Sequence, residues 1–204
     1  MTRSISAISF FFCVFIVFAT ATAQQLAVTP APVDIKAGNG DFVISGNTVI
    51  VVNKQEGRGV ASYLVAKLAQ GTGYDLKIAE SATEKNIRLE LSTALPQLGK
   101  EGYTLETSGD QLAIKAGTPA GLFYGVQTLL QLLPPEIESN KPVLGIEWKI
   151  ASASVVDYPR FAWRGIMLDV SRHFFSKEYV KEFIDRIARY KYNRFHWQDR
   201  KSVV

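Results

Sequence analysis

From Trp163 to Trp197 the chain spells a strand, a loop, a helix and a second strand, in that order. Two parallel strands can be joined only through such a crossover, so this segment commits the C-terminal part of the chain to a parallel α/β structure. Residues 163–170 read as a buried strand with Asp169 near its C-terminal end, and Ser171-Arg172-His173-Phe174-Phe175 as the loop that follows. Ser176 is placed to cap a helix, with Glu178 in its first turn. The apolar face of that helix, Val180, Phe183, Ile184, Ile187 and Ala188, falls at helical spacing, and residues 193–197 form the second strand signal. In parallel α/β structures function gathers at the C-terminal ends of strands, which makes Asp169, Arg172, His173, His196 and Trp197 candidates for an active-site face.

Each candidate also has a structural reading. Asp169 is either an ion-pair partner of Arg164 or Arg172 or a site carboxylate, and Trp163 and Trp197 are either core or sugar-stacking surfaces. Arg164 stands in an apolar strand between Trp163 and Gly165, where a guanidinium needs acceptors for its fork of donors. A polyhydroxylated ligand is one source of them.

The preceding part of the chain has a different rhythm. Residues 42–44 and 48–52 are β-branched and aromatic runs on either side of Ser45-Gly46-Asn47 and predict a hairpin. Val60, Leu64, Val65 and Leu68 predict a helix, stopped by Gly71 and Gly73. Strand signals return at 75–79, 87–91, 103–106 and 112–115, the last two joined in a hairpin by Ser108-Gly109-Asp110. A second helix opens with Thr118 as N-cap and Pro119 at its first position, and runs to Leu133 before Pro134-Pro135. Gly121 and Gly125, one turn apart in that helix, predict its close approach to a sheet. Residues 134–142 read as a linker and 143–150 as a further strand. This is an α+β domain, and residues 26–157 contain no nucleophile motif, metal cluster or phosphate loop.

The first 23 residues combine Arg3, an apolar run from Ile5 to Ala19 and the small-residue stretch Ala19-Thr20-Ala21-Thr22-Ala23. They read as a secretory signal peptide cleaved after Ala23, because the run is shorter than the roughly 20 apolar residues of a membrane span. Export to the periplasm or the cell exterior is the expectation. Cys13 lies inside the leader, so the mature chain has no cysteine for disulfides, thiol catalysis or Cys-based zinc sites. Of the formal charge of +4, Arg3 supplies one unit and residues 199–204 another, which leaves about +2 for the body. Lys and Arg are scattered among Asp and Glu, so nucleic acid is disfavoured as a partner.

The stretch Tyr158-Pro159-Arg160-Phe161-Ala162-Trp163-Arg164-Gly165-Ile166-Met167-Leu168-Asp169-Val170-Ser171-Arg172-His173-Phe174-Phe175, with Ile184-Asp185-Arg186-Ile187-Ala188 and Lys191-Tyr192-Asn193-Arg194-Phe195-His196-Trp197, closely resembles the start of the catalytic barrel of the β-N-acetylhexosaminidases of glycoside hydrolase family 20. Upstream, Gly102-Tyr103-Thr104-Leu105 and the run from Gly121 to Pro134 resemble that family's noncatalytic α+β domain. The resemblance divides the chain into a signal peptide (1–23), the noncatalytic domain (24–157) and the beginning of a (β/α)₈ barrel (158–197), and leaves a tail (198–204) that is expected to be non-native. It implies an exo-acting hydrolase that removes terminal N-acetylglucosamine or N-acetylgalactosamine with retention of configuration. The nucleophile would be the substrate's own 2-acetamido oxygen, oriented by an aspartate, while a neighbouring glutamate protonates the leaving group. No metal or organic cofactor is implied, and Arg164 matches the family arginine that bonds hydroxyls of the terminal sugar.

The chain departs from the pattern after Trp197, where the family continues with His and later carries the catalytic Asp-Glu pair. A length of 204 residues is too short for a complete barrel behind another domain. The expectation is a truncated enzyme, inactive by itself, with a noncatalytic carbohydrate-binding or interaction module as the alternative. Asp199-Arg200-Lys201-Ser202-Val203-Val204 matches, residue for residue, the translation of a common sequencing-library adapter. With the adapter's first base completing a glutamine codon at Gln198, this is why the tail is expected to be non-native.

Overall fold

The computed structural model describes residues 26–82 and 85–199. The expected leader lies outside the described residues, as do residues 200–204. The first domain runs β1 (Asp34–Val43), β2 (Val49–Val52), α1 (Arg58–Thr72), β3 (Lys77–Ala79), β4 (Asn86–Leu91), β5 (Tyr103–Ser108), β6 (Gln111–Ala116), α2 (Pro119–Leu132) and β7 (Lys149–Asp157). Its strands form one seven-stranded mixed sheet in the order β1-β7-β5-β6-β4-β2-β3. The pairs β2/β3, β2/β4 and β4/β6 are parallel; β1/β7, β5/β6 and β5/β7 are antiparallel.

Both helices cover one face of the sheet, and the core lies between them. Leu64 and Leu68 of α1 and Leu122, Val126 and Leu129 of α2 meet Ile50, Ile87, Leu89, Leu105, Leu112 and Ile114 of the strands, all fully buried. Gly73, at φ 73°, ends α1 in the left-handed conformation, its N–H bonded to the Ala69 carbonyl at 3.0 Å. Gly71 lies inside the helix rather than ending it. Thr118 caps α2 by accepting from the Gly121 N–H at 3.3 Å, as its place before Pro119 predicts. The close approach predicted from the glycines of α2 is present: a Cβ on Gly121 would meet the Gly102 carbonyl and Ala116, and one on Gly125 would meet Ile114 and the Tyr103 ring.

Two sequence expectations are corrected here. The turn at Ser45 to Thr48 forms, with Thr48 N–H on the Ser45 carbonyl at 3.0 Å, but the strands beside it do not pair with each other. β1 pairs with β7, and β2 lies between β3 and β4. Ile50 and Val51 point to opposite faces and are both buried, so β2 needs a neighbour along each edge and cover on each side, which a two-stranded hairpin does not provide. The last strand occupies 149–157, not 143–150. Gly145, at φ 79°, breaks the extended run before it, while the small residues from Ala151 to Ser154 form the strand between β1 and β5.

The second unit consists of β8 (Gly165–Asp169), α3 (Lys177–Arg189) and β9 (Arg194–Gln198), the strands pairing in parallel from Gly165↔Arg194 to Asp169↔Gln198. This is the strand, helix and strand that the sequence predicts. Ser176 accepts from the Tyr179 N–H at 3.1 Å and caps α3. Among the described residues β8 and β9 pair only with each other, so each keeps an open outer edge.

Candidate functional site

Strand pairing divides the candidates between two faces. Ile166 is opposite Phe195 and Leu168 opposite Trp197; Met167 is opposite His196 and Asp169 opposite Gln198. Phe183 of α3 lies 5.7 Å from the Phe195 ring, and Phe195 lies 6.0 Å from Trp197, so this is the helix-covered face. Side chains alternate along a strand, which puts Met167, Asp169 and His196 together on the opposite face. Trp197 stands near the C-terminal end of β9 but shares its face with Phe195 and not with Asp169.

Asp169 ends β8 and organises the loop after it. Its Oδ1 accepts from the Ser171 hydroxyl at 2.7 Å, the Ser171 N–H at 3.0 Å and the Arg172 N–H at 3.2 Å. Arg172 Nε stands 3.5 Å from Oδ2, while the rest of that side chain is open to solvent, 90% exposed. His173 meets Phe175 edge-on at 5.5 Å, and Phe175 stacks on Tyr179 of α3 at 4.6 Å. The loop is thus held at one end by a carboxylate turn and at the other by a ladder of rings. It presents a guanidinium and an imidazole at the C-terminal end of β8.

The Ser171 hydroxyl, then the backbone N–H groups and the Arg172 charge, hold the Asp169 carboxyl below the usual aspartate range. A carboxyl depressed in the folded state contributes stability above its unfolded value of ~3.9, and loses it as pH falls through the lower folded value. Titration of the Asp169 carboxyl carbon by NMR is expected to give a midpoint below ~3.9, and Ser171→Ala is expected to move it upward. A midpoint unchanged by that substitution would show that the hydroxyl is not the main cause.

Arg164 is not brought to this end. It precedes β8, five positions from Asp169, a separation of roughly 16 Å along an extended strand. Its Nη1 pairs with Glu101 Oε2 at 2.8 Å and donates to the Phe161 carbonyl at 2.8 Å; Nε donates to the Lys191 carbonyl at 2.8 Å. Its guanidinium also lies over the Tyr124 ring at 5.5 Å. The expectation that Arg164 reaches up to a sugar is corrected on that geometry, because its acceptors come from the first domain and from backbone at the N-terminal ends of the strands. The choice left open for Asp169 falls on Arg172. Sequence reasoning missed Glu101, Asp157, Lys191 and Asn193, which gather around Arg164. No local motif joins residues so far apart in the chain.

Among the described residues no group of His, Cys, Asp or Glu is arranged to hold a metal ion, and no helix is long and apolar enough to cross a membrane. What the fold lays out is an α+β domain joined to the first strand, helix and strand of a (β/α)₈ barrel. The description "Glycosyl hydrolase family 20, domain 2" matches residues 25–158, and the catalytic-domain description of the same family matches residues 161–201. The chain belongs to glycoside hydrolase family 20. It is 38% identical over 176 residues to a β-hexosaminidase of Porphyromonas gingivalis, covering 85% of this chain and 22% of that one. It is 33% identical to a β-N-acetylhexosaminidase of Cellulomonas fimi, covering 84% of this chain and 34% of that protein. The N-acetyl-β-hexosaminidase of Streptomyces plicatus, solved in complex with thio-NAglucal, superposes with a TM-score of 0.77 at 43% identity, over 85% of this chain and 34% of that one. The chain thus spans about a fifth to a third of the length of these relatives.

Proposed function

We propose that this chain is the N-terminal part of an exo-acting β-N-acetylhexosaminidase that hydrolyses terminal N-acetylglucosamine or N-acetylgalactosamine with retention of configuration. The observation that carries the reading is the loop at the C-terminal end of β8, where Asp169 fixes Ser171 and Arg172 and leaves the Arg172 guanidinium in the open. In a parallel barrel that end of the strands is where substrate lies. Arg172, rather than Arg164, is then the cation that bonds hydroxyls of the terminal sugar, with Asp169 setting its direction and His173 beside it. His196 shares the face of Asp169 two register positions lower. The acetamido group of the substrate acts as nucleophile in this reading, with the orienting aspartate and the proton-donating glutamate supplied by the barrel beyond the described residues. The leader supports export, and N-terminal sequencing of secreted protein is expected to begin at Gln24.

A protein of the relatives' full length that carries this chain is expected to release N-acetylglucosamine from an aryl β-N-acetylglucosaminide, whereas the purified 204-residue chain is expected to show no turnover above background. Arg172→Ala in the longer protein is expected to lower kcat/KM by roughly 10- to 100-fold, the equivalent of losing charge-assisted hydrogen bonds of about 1.5–3 kcal/mol. Unchanged kinetics would remove Arg172 from the sugar site.

A further inference from the structure

A cluster of buried and half-buried charge lies at the other end of β8 and β9, where the two domains meet. Lys191 sits in the turn between α3 and β9, and is 6% exposed with φ at 62°. That is a left-handed conformation which glycine or asparagine adopts far more readily than lysine. A non-glycine residue keeps such a backbone only when its surroundings over-determine it. Here they do. The ammonium donates to Asp157 Oδ2 at 2.7 Å and to the Tyr103 hydroxyl at 2.8 Å. Tyr103 donates in turn to Asp157 at 3.0 Å and shares a contact of 2.5 Å with the Thr128 hydroxyl. Burial lowers the Lys191 pKa, an effect opposed by the bond to Asp157.

A second first-domain carboxylate, Glu101, ties the starts of both strands. Its Oε2 pairs with Arg164, at the start of β8, and its Oε1 accepts from Asn193 Nδ2 at 3.0 Å, at the start of β9. Asn193 closes the knot: Nδ2 donates also to the Ala162 carbonyl at 2.8 Å, and Oδ1 accepts from the Arg164 N–H at 3.0 Å. The other polar links between the domains include the Lys67–Asp185 and Arg189–Glu138 pairs on α3. The first of these is solvent-exposed at Asp185, and exposed pairs contribute little.

We propose that Glu101 and Asp157 are positioning residues of the candidate site, through which the first domain fixes the register and direction of β8 and β9 from their N-terminal ends and so holds the face carrying Asp169 and His196. The coupling is read from strand geometry, and only the nature of the ligand on that face rests on the sugar-hydrolase reading above. A strand is stiff along its length, so its far end moves when its near end is released. The first domain is then part of the site's construction rather than an appendage to it.

Lys191→Gly separates the backbone from the side chain, since glycine keeps the left-handed turn and removes the ammonium. In the full 204-residue chain, amide hydrogen exchange is expected to rise about tenfold or more across β8 and β9 in Lys191→Gly and Glu101→Gln, while α1, β4 and β6 keep their protection. Addition of N-acetylglucosamine is expected to shift the Arg172 and His173 amides of the parent chain, and to shift them less in the variants. Wild-type protection in Lys191→Gly would overturn the proposal, because the turn alone would then hold the strands. Protection lost equally in α1, β4 and β6 would also overturn it, by reducing the network to general stability. If the sugar shifts no amide in the parent chain while exchange rises only in β8 and β9, the positioning role stands and the sugar reading of the face fails.

Discussion

Gly121→Val is expected to destabilise the first domain by about 3 kcal/mol or more. A Cβ at position 121 meets the carbonyl oxygen of Gly102 and comes within 2.8 Å of the Ala116 Cβ, so the obstacle is largely backbone and has no rotamer to change. Sliding α2 outward is blocked as a remedy. Gly125, one turn on, seats the same helix against Ile114 and Tyr103, and Thr118 anchors its first turn. Overpacking a core costs about 1–3 kcal/mol where side chains can yield, and a branched side chain against backbone belongs at or above the top of that range. Domains of this size have roughly 5–15 kcal/mol to lose. Urea unfolding followed by circular dichroism is expected to show a large fall in midpoint for Gly121→Ala and a larger one for Gly121→Val. A valine variant that melts like the parent would mean that α2 does not need to lie so close to the sheet.

Arg164→Ala is expected to weaken the junction between the domains by about 3 kcal/mol, at the low end of the range for breaking a buried ion pair. The side chains of Arg164 and Glu101 are only 20% and 21% exposed, so the carboxylate left behind keeps little water to replace its partner. The same change strips hydrogen bonds from the Phe161 and Lys191 carbonyls, both in chain segments that lead into strands. Arg172→Ala, at a side chain in open solvent, is expected to leave stability nearly unchanged. Amide hydrogen exchange across β8 and β9 in the two variants, as a probe of the second unit, tests the contrast. Equal protection would place Arg164 outside the structural framework and return it to the list of ligand-binding candidates.

The contrast between these two arginines marks how far the sequence could be read. Helices α2 and α3 were legible because their caps, periodicity and stops all agree within a dozen or so residues. The β5/β6 hairpin was legible because its turn sits between two alternating runs. β7 was not, since Ala and Ser carry little strand preference and the strand is imposed by β1 and β5 on either side. Asp169, Arg172 and His173 could be placed at a strand end from local order alone. The direction of the Arg164 side chain could not: its partner Glu101 is 63 positions away, and only the assembled domains bring the two together. Lys191 was invisible for a related reason, because a lysine after a helix reads as solvated until Asp157 and Tyr103 are seen beneath it.

Among the described residues the outer edges of β8 and β9 are unpaired. Each edge presents a row of N–H and C=O groups at the spacing of a hydrogen-bonding partner, and Met167 and Trp197 add apolar surface at 57% and 53% exposure. Another molecule of the same chain can supply the neighbouring strand. Neither edge carries a proline, and β9 brings only Arg194 as a charged side chain to deter stacking. Among the described residues the two edges are therefore templates on which a second copy can pair its own β8 or β9.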